Sequence, residues 1–550
     1  MRITDTSDLW WKNAVIYCLD VKRYCDSDGD GWGDFRGLAS KVDYLADLGV
    51  TCLWLMPFYP SPMGDDGYDI ADYYAIDPRI GTFGDFTEFM RTANDRGMRV
   101  IADLVPNHTS VEHPWFQSAR QGPDSPYHDW YVWSDDPPPT SPSDIPFPGE
   151  ETGIWEYDEM CGRYYLHRFY RFQPDLDVSN PAVRDELTKV AGFWSRLGIA
   201  GFRLDAVPAF LETGDAASKA RLPDPHEFLK DLRSYLTRRN GESMLLGEVN
   251  LPHDQQRAFF GDGEASELST CFDFMAMQNL WLSMARQDAS ALAHAVESRP
   301  AIPPDGQWAT FVRNHDELTL DRLTPSERQE VFKAFGPSKS MQVYDRGLRR
   351  RVPPMLDGDQ DRIRLIYSLM FSLPGTPVLF YGEEIGMGEN LAAEQRLAVR
   401  TPMQWNAGKN GGFSTAATAD LIAPMVRGTF GPRNVNVDAQ RPDPDSLHSF
   451  MRSLMRVYRE CPELGWGTFT LLKCEQASVL AHQCAWEDKT TVLLHNLSDR
   501  AVTAKVALPE GRGPVHLAEP LGTATVTTDR HGTFEVRLPR YGRLWLRVLP

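Results

Sequence analysis

Acidic side chains stand at or just after the ends of four short apolar runs in this sequence. Asp103, Asp205, Glu248 and Asp316 each accompany a run of the kind that forms a buried strand. In a barrel of parallel strands the carboxyl ends of the strands meet at one mouth, so these side chains should converge there. A single carboxylate in such a place is as readily the N-cap of the next helix. Four of them together favour a catalytic site.

Two of these carboxylates have neighbours that should set their protonation differently. Arg203 and Asp205 lie two residues apart on a predicted strand, so both side chains point to the same face. The guanidinium should lower the pKa of Asp205 and keep it ionised as a nucleophile. Glu248 follows Leu246 and Gly247, and apolar surroundings should raise its pKa, as suits a general acid. Glycoside hydrolysis requires such a pair, and a separation of ~5–5.5 Å would retain the anomeric configuration.

The elements that must position these residues alternate between strand-like and helix-like patterns. Apolar residues at three- to four-residue spacing predict helices over 36–49 and 83–97, the second with Gly97 as its C-cap. Eight runs rich in β-branched and aromatic residues predict strands at 14–21, 50–58, 99–105, 199–207, 244–250, 270–277, 308–314 and 375–381. Alternating strands and helices pair in parallel through right-handed crossovers. Eight strands of this kind predict an α/β fold, a (β/α)8 TIM barrel.

Two segments depart from this alternation and divide the chain. Residues 111–178 are rich in Pro, Ser, Asp, Trp and Tyr without a helical period, which predicts an inserted domain after the third strand. Beyond about 465, short alternating runs predict a C-terminal antiparallel β domain. The predicted parts are the first part of the barrel at 1–110, the inserted domain at 111–178, the second part of the barrel at 179–464 and the β domain at 465–550.

The composition narrows the classes of function and partner. The 550 residues carry 57 Lys and Arg against 76 Asp and Glu, a net charge of −19, which disfavours binding to nucleic acid or to an anionic membrane. No apolar run reaches the about 20 residues that span a bilayer, and the first residues lack the pattern of a signal peptide. The eight cysteines include no CxxC pair and are predicted to be reduced and structural. We therefore expect a cytoplasmic protein.

Four segments at the predicted strand ends resemble the signature regions of glycoside hydrolase family 13, the α-amylase family. They are DLVPNH (103–108), GFRLDAV (201–207), GEVN (247–250) and RNHDE (313–317), and QPDLD (173–177) resembles the fifth region of that family. Their order and spacing match over nearly the whole chain. Three further segments are most similar to trehalose synthases, and next to oligo-1,6-glucosidases: SPMGDDGYDIADYY (61–74), FSLPGTPVLFYGEEIGMG (371–388) and VRTPMQW (399–405).

The resemblance implies a role for each of three carboxylates. Asp205 would be the nucleophile, and Glu248 would be the general acid and then the general base. Asp316 would be the third carboxylate, which holds hydroxyl groups of the sugar and favours distortion of its ring.

The resemblance also implies the contacts of the innermost glucose. His108 and His315 would donate hydrogen bonds to it, Arg203 would position the nucleophile, and Tyr68 would stack beneath the ring. These side chains, with the three carboxylates, would form one sugar pocket.

A further pair is implied to limit the length of the substrate. Asp65 and Arg400 match residues that close the pocket beyond the non-reducing glucose, so the enzyme would act on short α-glucosides. The sequence departs from its relatives at Asp177, where they usually carry Asn, and after Arg396, where EQRLAVR has Leu397 in place of Asp or Asn. Both departures lie on the predicted aglycone side.

An acidic loop at 26–34 (DSDGDGWGD) is a candidate cation site. Its first half resembles an EF-hand, but Gly37 stands where an EF-hand has its twelfth-position Glu. The family resemblance implies a structural Ca²⁺ at this loop, with ligands from Asp26, Asp28, Asp30, the carbonyl of Trp32 and Asp34. The alternative is a solvated acidic turn, although four clustered carboxylates repel one another without a cation.

Several functions stay open at this point. The first is a retaining enzyme that hydrolyses or transfers glucose from maltose-sized substrates, in one version interconverting maltose and trehalose. A strict α-glucosidase with another linkage preference is the alternative. A non-catalytic barrel, similar to the heavy subunits of amino-acid transporters, is disfavoured because the three carboxylates are present. A carbohydrate-binding role of the C-terminal β domain and a homo-oligomer also stay open.

Overall fold

The computed structural model describes residues 9–211, 222, 224–262, 267–509 and 514–549. Its centre is a closed barrel of eight parallel strands, which follow one another around the barrel in chain order. These strands are Ile16–Leu19 (β1), Cys52–Leu55 (β2), Arg99–Leu104 (β3), Gly201–Leu204 (β4), Met244–Gly247 (β5), Thr270–Phe272 (β6), Gln307–Thr310 (β7) and Thr376–Phe380 (β8). Each lies within or against one of the eight predicted runs, so the (β/α)8 prediction is confirmed.

Helices surround the barrel and join its strands. The α-helices of the described residues are Val21–Tyr24, Phe35–Ala39, Val42–Leu48, Phe83–Asp95, Pro114–Ala119, Pro181–Arg196, Val207–Leu211, Glu227–Arg239, His253–Gln256, Phe274–Arg286, Ser290–Glu297, Pro325–Phe335, Val352–Met355, Gln360–Ser372, Val437–Gln440, Leu447–Glu460 and Glu463–Trp466. Gly97, the predicted C-cap, follows the end of its helix with a φ of +69°, a conformation that glycine adopts without strain. The predicted helix is therefore present, but it ends at Asp95 with Arg96 as its C-cap, two residues before the predicted end.

The helix predicted over 36–49 is in fact two helices. Phe35–Ala39 ends where the hydroxyl of Ser40 donates to the carbonyl of Gly37 at 2.6 Å, and Val42–Leu48 begins after it. A serine hydroxyl that binds a nearby carbonyl competes with the helical hydrogen bonds. The apolar spacing continues across this break, because Leu38 of the first helix and Val42, Leu45 and Leu48 of the second are all buried in the same hydrophobic core.

The sixth barrel strand is shorter than the run that predicts it. The strand covers Thr270–Phe272 rather than 270–277, because the carboxylate of Asp273 accepts a hydrogen bond from the backbone N–H of Ala276 and caps the helix Phe274–Arg286. An apolar run does not distinguish a buried strand from a buried helix. Here the N-cap decides the boundary.

The segment after β3 forms its own small sheet. Its three antiparallel strands are Trp133–Ser134, Trp155–Asp158 and Arg163–Leu166. The ring of Phe116 packs against Tyr131, Trp133 and Tyr165, with ring centroids 5.0 to 5.8 Å away. The aromatic residues of this segment are thus used in packing, as expected for an insertion rather than a linker.

The C-terminal part consists of antiparallel strands in two sheets. One sheet contains Thr468–Leu471, Val479–Trp486, Lys489–Asn496, His516–Ala518, Thr525–Thr527 and Arg543–Val548, and the other contains Lys473–Cys474, Val502–Ala507 and Thr533–Leu538. A further small sheet, Leu318–Thr319, Gln342–Val343 and Gly347–Leu348, follows β7. The predicted antiparallel C-terminal β fold is confirmed, while the exact domain limits stay predictions.

The cysteine prediction is confirmed, and one expectation lies outside the described residues. All eight cysteines are free, and six of them are buried. Among the described residues, no helix is both long and apolar enough to cross a bilayer. Residues 1–8, on which the signal-peptide expectation rests, lie outside the described residues.

Two buried histidines join the C-terminal sheet to the barrel. The Nε2 of His482 lies 2.9 Å from the carbonyl of Ser372, and the Nε2 of His495 lies 2.8 Å from the hydroxyl of Ser368, both on the helix Gln360–Ser372. Burial lowers the pKa of His482 to about 4 and holds the pKa of His495 well below its ordinary value. Both rings are therefore neutral in the folded protein at pH 7.

We predict that acid weakens the fold through these rings. Below the ordinary histidine pKa of 6.5 the unfolded chain takes up protons that the folded chain refuses, so stability is complete above that pH and falls by up to about 1.4 kcal/mol per pH unit per histidine below it. Urea unfolding at pH 7 and pH 5 measures this. The double variant His482→Gln/His495→Gln should lose less stability between the two pH values, whereas His531→Gln, at an exposed histidine, should match the wild type. Equal losses in all three proteins would contradict the prediction.

Candidate active site

One buried arginine joins three of the predicted carboxylates. Arg203, in β4, is fully buried. Its Nη1 lies 2.6 Å from Oδ1 of Asp103 and 2.6 Å from Oδ1 of Asp205, and its Nη2 lies 2.6 Å from Oε2 of Glu248. Asp103 also accepts a hydrogen bond of 2.8 Å from the indole of Trp54. The predicted convergence of these side chains at the strand ends is confirmed, with a guanidinium at its centre.

Burial, rather than Arg203, sets the pKa of the two central carboxyls. Burial raises the pKa of Asp205 to about 6, against the opposing charge of Arg203. Burial also raises the pKa of Glu248 to about 7, and the charge of Asp205 adds to this rise. The prediction that Asp205 has a lowered pKa is wrong, because desolvation inside the barrel outweighs the guanidinium. Glu248 nevertheless has the higher pKa of the two, the order that a general acid and a nucleophile need.

Asp316 is held by two further arginines. It follows β7 by six residues, and its Oδ1 lies 2.6 Å from Nη1 of Arg396 and 2.9 Å from Nη2 of Arg400. Its Oδ2 lies 3.1 Å from Nε2 of His315. Burial opposes ionisation, but His315 and the two guanidiniums outweigh it and hold the pKa of Asp316 well below its usual range. Asp316 is therefore a fixed negative charge beside two carboxyls that titrate near neutrality.

These groups open into a pocket of about 700 Å³. The predicted site residues that line it are Asp65, Tyr68, His108, Asp205, Glu248 and Asp316. The hydroxyl of Tyr68 lies 2.7 Å from Nε2 of His315, and the two rings stack with centroids 5.6 Å apart. The Nε2 of His108 is buried and has no protein partner among the described residues. It is a ring nitrogen available to a bound sugar hydroxyl.

The predicted pair of Asp65 and Arg400 does not form. Asp65 pairs instead with Arg396, whose Nη2 lies 3.0 Å from Oδ1 of Asp65. Arg400 pairs with Asp66, with Nη1 at 2.8 Å from Oδ2, and with Asp316. Both predicted residues are at the site, but adjacent aspartates and two arginines four residues apart left the pairing undetermined in the sequence. The structure thus corrects the partners and adds two residues.

Arg396 is the site residue that the sequence reasoning missed. It bridges Asp65 and Asp316, and its guanidinium lies 4.9 Å from the ring centre of Phe147 in the inserted segment. The sequence drew attention to this loop, because relatives carry an Arg-Asp or Arg-Asn pair where this chain has Arg396 and Leu397, but it assigned Arg396 no contact and no role. Arg396 lies 331 residues from Asp65 in the chain. No local sequence pattern encodes a contact over that distance.

Both the insertion and the barrel loops supply the outer wall of the pocket. From the insertion come Pro138, Asp144, Pro146, Phe147, Ile154, Trp155, Leu166, Arg168 and Phe169, and from the barrel loops come Asn250, Leu251, Phe274, Glu317, Thr319, Asp321, Arg322 and Arg346. This wall mixes apolar rings with charged groups, the combination that binds one face and the hydroxyl edge of a sugar.

The two departures from the family pattern lie away from this wall. Asp177 accepts a hydrogen bond from the N–H of Ser179 at 2.9 Å, and neither it nor Leu397 lines the pocket. Within the same region Gln173 does reach the site, because its Nε2 donates to Oδ2 of Asp65 at 3.0 Å. The contribution of QPDLD to the pocket is therefore made through Gln173.

The acidic loop brings three of its carboxylates together. Asp26, Asp28 and Asp34 place one oxygen each within 4.8 Å of one another. The carboxylate of Asp30 is not in this group and accepts a hydrogen bond from the N–H of Trp32 at 2.7 Å. Carboxylate oxygens are the donors that Ca²⁺ prefers, at 2.3–2.6 Å, and three within this distance of one another fit around one such ion.

The family model described as alpha amylase, catalytic domain, matches residues 17–334 and 349–467. The chain belongs to the α-amylase family, glycoside hydrolase family 13. It is an enzyme of that family, whose barrel carries the carboxylates described above.

Several α-amylase family members are similar over most of the chain. Trehalose synthase of Thermus thermophilus is 42% identical over 92% of this chain, although the chain spans only 53% of that relative's length. The trehalose synthase/amylase TreS of Mycobacterium tuberculosis is 40% identical, and the match covers 98% of this chain and 90% of the relative. Among solved structures, the trehalulose synthase MutB from Pseudomonas mesoacidophila MX-45 superimposes with a TM-score of 0.76 at 25% identity, covering 98% of this chain and 99% of that one.

We predict that Arg203 is essential to the stability of this site. Arg203→Met should lower the free energy of unfolding by about 3–5 kcal/mol at pH 8, because three buried carboxylates lose their common partner. The loss should shrink at pH 5, since these carboxyls, whose raised pKa values rise further without the arginine, then bind protons in the folded state.

Urea unfolding at both pH values checks this prediction. The control is Arg36→Met, which removes an exposed ion pair with Asp85 and should change stability by less than about 1 kcal/mol. A loss in Arg203→Met that is the same at pH 5 and pH 8 would argue against the carboxylates as its cause.

Proposed function

We propose that this chain is a retaining enzyme that transfers glucose within short α-glucosides and interconverts maltose and trehalose. The observation that carries the proposal is the pair Asp205 and Glu248 on one guanidinium, beside the Asp316 cluster, in a pocket of about 700 Å³. A shared guanidinium keeps the two carboxylates close, which favours the ~5–5.5 Å separation of retaining enzymes over the wider one of inverting enzymes. The trehalose synthases among the relatives support the choice of substrate.

The first step would form a covalent intermediate. An oxygen of Asp205 attacks the anomeric carbon from the β face while Glu248 donates its proton to the glycosidic oxygen. The bond to the leaving sugar breaks, that sugar departs as a neutral alcohol, and a β-glucosyl ester to Asp205 remains. Burial raises the pKa of Glu248 to about 7, so that at neutral pH it can carry the proton that this step needs, while the adjacent Arg203 favours the ionised form of Asp205.

The second step would reverse the proton transfer. Glu248, now ionised, takes a proton from the attacking hydroxyl, whose oxygen displaces the ester oxygen of Asp205 and restores the α configuration. If the attacking group is the C1 hydroxyl of the glucose just released, maltose becomes trehalose. If it is water, both sugars leave as glucose. A wall that retains the free glucose and excludes water favours the first outcome.

The arginine cluster supports the restriction to short substrates. Asp65, Arg396 and Asp316 form one connected group of ion pairs, which Gln173 extends. Carboxylates and guanidiniums arranged in this way bind the hydroxyl groups of a terminal glucose. Held in place by these ion pairs, the three side chains would block the passage of a long chain.

We predict that Asp205→Asn abolishes turnover while the fold persists. Loss of the nucleophile should lower kcat by at least about four orders of magnitude. Glu248→Gln should lower kcat on maltose by about 10²–10⁴-fold but should spare the first step with p-nitrophenyl α-glucoside, because p-nitrophenolate needs no proton to leave. Near-normal turnover of maltose by Asp205→Asn would refute the mechanism, and unchanged melting temperatures serve as the control for folding.

The products formed from maltose distinguish the two candidate activities. Proton NMR of the pure enzyme with maltose should show trehalose forming faster than glucose. Glucose alone would identify the strict α-glucosidase instead. With p-nitrophenyl α-glucoside all the glucose comes from the glucosyl-enzyme intermediate, so α-glucose should be the first anomer released from that substrate, and β-glucose as the initial product would contradict the assignment of Asp205 and Glu248.

We also propose that the loop at 26–34 holds a structural Ca²⁺. The oxygens of Asp26, Asp28 and Asp34 support this assignment, and Asp26 also accepts hydrogen bonds from the N–H groups of Gly29 and Gly31. Bound there, the ion would neutralise the repulsion among these carboxylates. The eight free cysteines support a reducing compartment, in line with the expected cytoplasm.

We predict that removal of Ca²⁺ lowers the thermal stability. Dialysis against EGTA should reduce the melting temperature by several degrees, and adding back Ca²⁺, but not Na⁺, should restore it. Asp28→Asn should lower the melting temperature in Ca²⁺ and make it insensitive to EGTA. A control, Asp72→Asn, changes an exposed aspartate outside the loop and should leave the response intact. An unchanged melting temperature of the wild type in EGTA would exclude the site.

A further inference from the structure

A second cleft lies between the barrel and the C-terminal sheet. Its volume is about 480 Å³, and it shares no lining residue with the sugar pocket. Its walls are the helix Gln360–Ser372, the first turns of the helix Leu447–Glu460 and the beginning of the strand Arg543–Val548. The barrel and the C-terminal part therefore both contribute to it.

Two arginines in this cleft have no acidic partner. Neither Arg364 nor Arg543 forms an ion pair with a carboxylate of the described residues, although both line the cleft. Arg364 donates one hydrogen bond to the carbonyl of Asp445, and its Nε is buried without a partner. The guanidiniums of Arg543 and Arg364 lie 4.5 Å and 5.8 Å from the ring centre of Phe450. Two like charges thus share one aromatic ring.

The other charged groups of the cleft lie outside ion-pair distance of these two guanidiniums. The third arginine, Arg540, already pairs with Asp359 and lies 3.7 Å from Asp361. Glu519 accepts a hydrogen bond of 3.2 Å from the N–H of Ala524, and Asp445 also lines the cleft. Burial and the charge of Arg364 lower the pKa of Arg543 to about 10, although the charges of Asp361 and Glu519 raise it, so that its guanidinium remains charged at pH 7. Three arginines and three carboxylates thus line the cleft, but among the described residues no carboxylate lies within ion-pair distance of Arg364 or Arg543.

The N-terminal end of a helix also lies at this cleft. The 14-residue helix Leu447–Glu460 begins at the cleft, with Ser446 as its N-cap. Ser446, Ser449 and Ser453 line the cleft on this side. The N-terminus of a helix carries a partial positive charge and favours a nearby anion.

We propose that this cleft binds a phosphoryl group, either as free phosphate or as the phosphate ester of a sugar, between Arg364 and Arg543. A guanidinium donates two parallel N–H groups to a phosphate, and a dianion balances two such charges. The cleft is larger than phosphate alone requires, and Phe450 and Tyr541 line it with aromatic rings against which an attached sugar ring could pack. Because Arg364 is on the barrel and Arg543 is on the C-terminal sheet, the ligand would tie the two together.

The test is calorimetric titration of the whole protein at low ionic strength. Inorganic phosphate and glucose 6-phosphate are the two probes, and glucose is the uncharged control. Both phosphates should bind and raise the melting temperature, while glucose should not bind at this site. Tighter binding of glucose 6-phosphate would identify a sugar phosphate as the ligand, and equal affinities would identify free phosphate.

Matched variants locate the binding. Arg543→Gln should weaken both phosphates by at least about tenfold, the expected loss of one charged hydrogen-bonding partner. Arg543→Lys, which keeps the charge but loses the paired N–H groups, should lie between this variant and the wild type. Arg537→Gln removes an exposed arginine of the same domain and should bind as the wild type does.

The outcome is decisive in both directions. Arg543 forms no ion pair with a described residue and contacts mainly the ring of Phe450, so Arg543→Gln should fold with a melting temperature within a few degrees of the wild type and with unchanged turnover of maltose. Absence of saturable binding to the wild type would overturn the proposal. Equal affinity in Arg543→Gln and the wild type would overturn it as well, since the phosphate would then be bound elsewhere.

Discussion

The charge of Arg203 is the constraint on which the rest of the site depends. Three carboxyls, Asp103, Asp205 and Glu248, lie around it at the mouth of the barrel. Ions buried in this way are stable only when paired and hydrogen-bonded. The barrel therefore fixes the guanidinium with Trp54 beneath it, 5.2 Å from the ring centre, and the guanidinium in turn fixes the carboxylates. Positions of this precision are what an enzyme needs before any substrate arrives.

The same burial that costs stability also sets the chemistry. Desolvation raises the pKa of Asp205 and Glu248 towards neutrality, while Arg396 and Arg400 keep Asp316 ionised. One pocket thus contains carboxyls in different protonation states at the same pH. The α-amylase family, to which the chain belongs, is a family of glycoside hydrolases. The electrostatics of this chain explain how one chemical group, the carboxyl group, has different pKa values at three positions of the same site.

The inserted segment and the barrel loops contact each other and together line the outer part of the pocket. Phe147 lies against Arg396, and Arg346 reaches from the loop after β7 to Glu317 at 3.0 Å. Residues far apart in the chain thus decide how much space remains for a second sugar. The chain has a net charge of −19, but at this site most acidic groups are paired with arginines. The cleft at the C-terminal sheet differs, because two of its arginines, Arg364 and Arg543, have no carboxylate of the described residues within ion-pair distance.

The sequence by itself determined the barrel, its antiparallel C-terminal sheets and the carboxylates at the strand ends. These follow from local rules, namely the spacing of apolar residues and the two-residue repeat that sets Arg203 and Asp205 on one face. Only the tertiary structure decided that Asp65 pairs with Arg396 and Arg400 with Asp66, because these partners are more than 300 residues apart. It also decided the raised pKa of Asp205. Desolvation depends on every atom packed around a group, so the residues next to Asp205 in the sequence do not determine how deeply the barrel buries it.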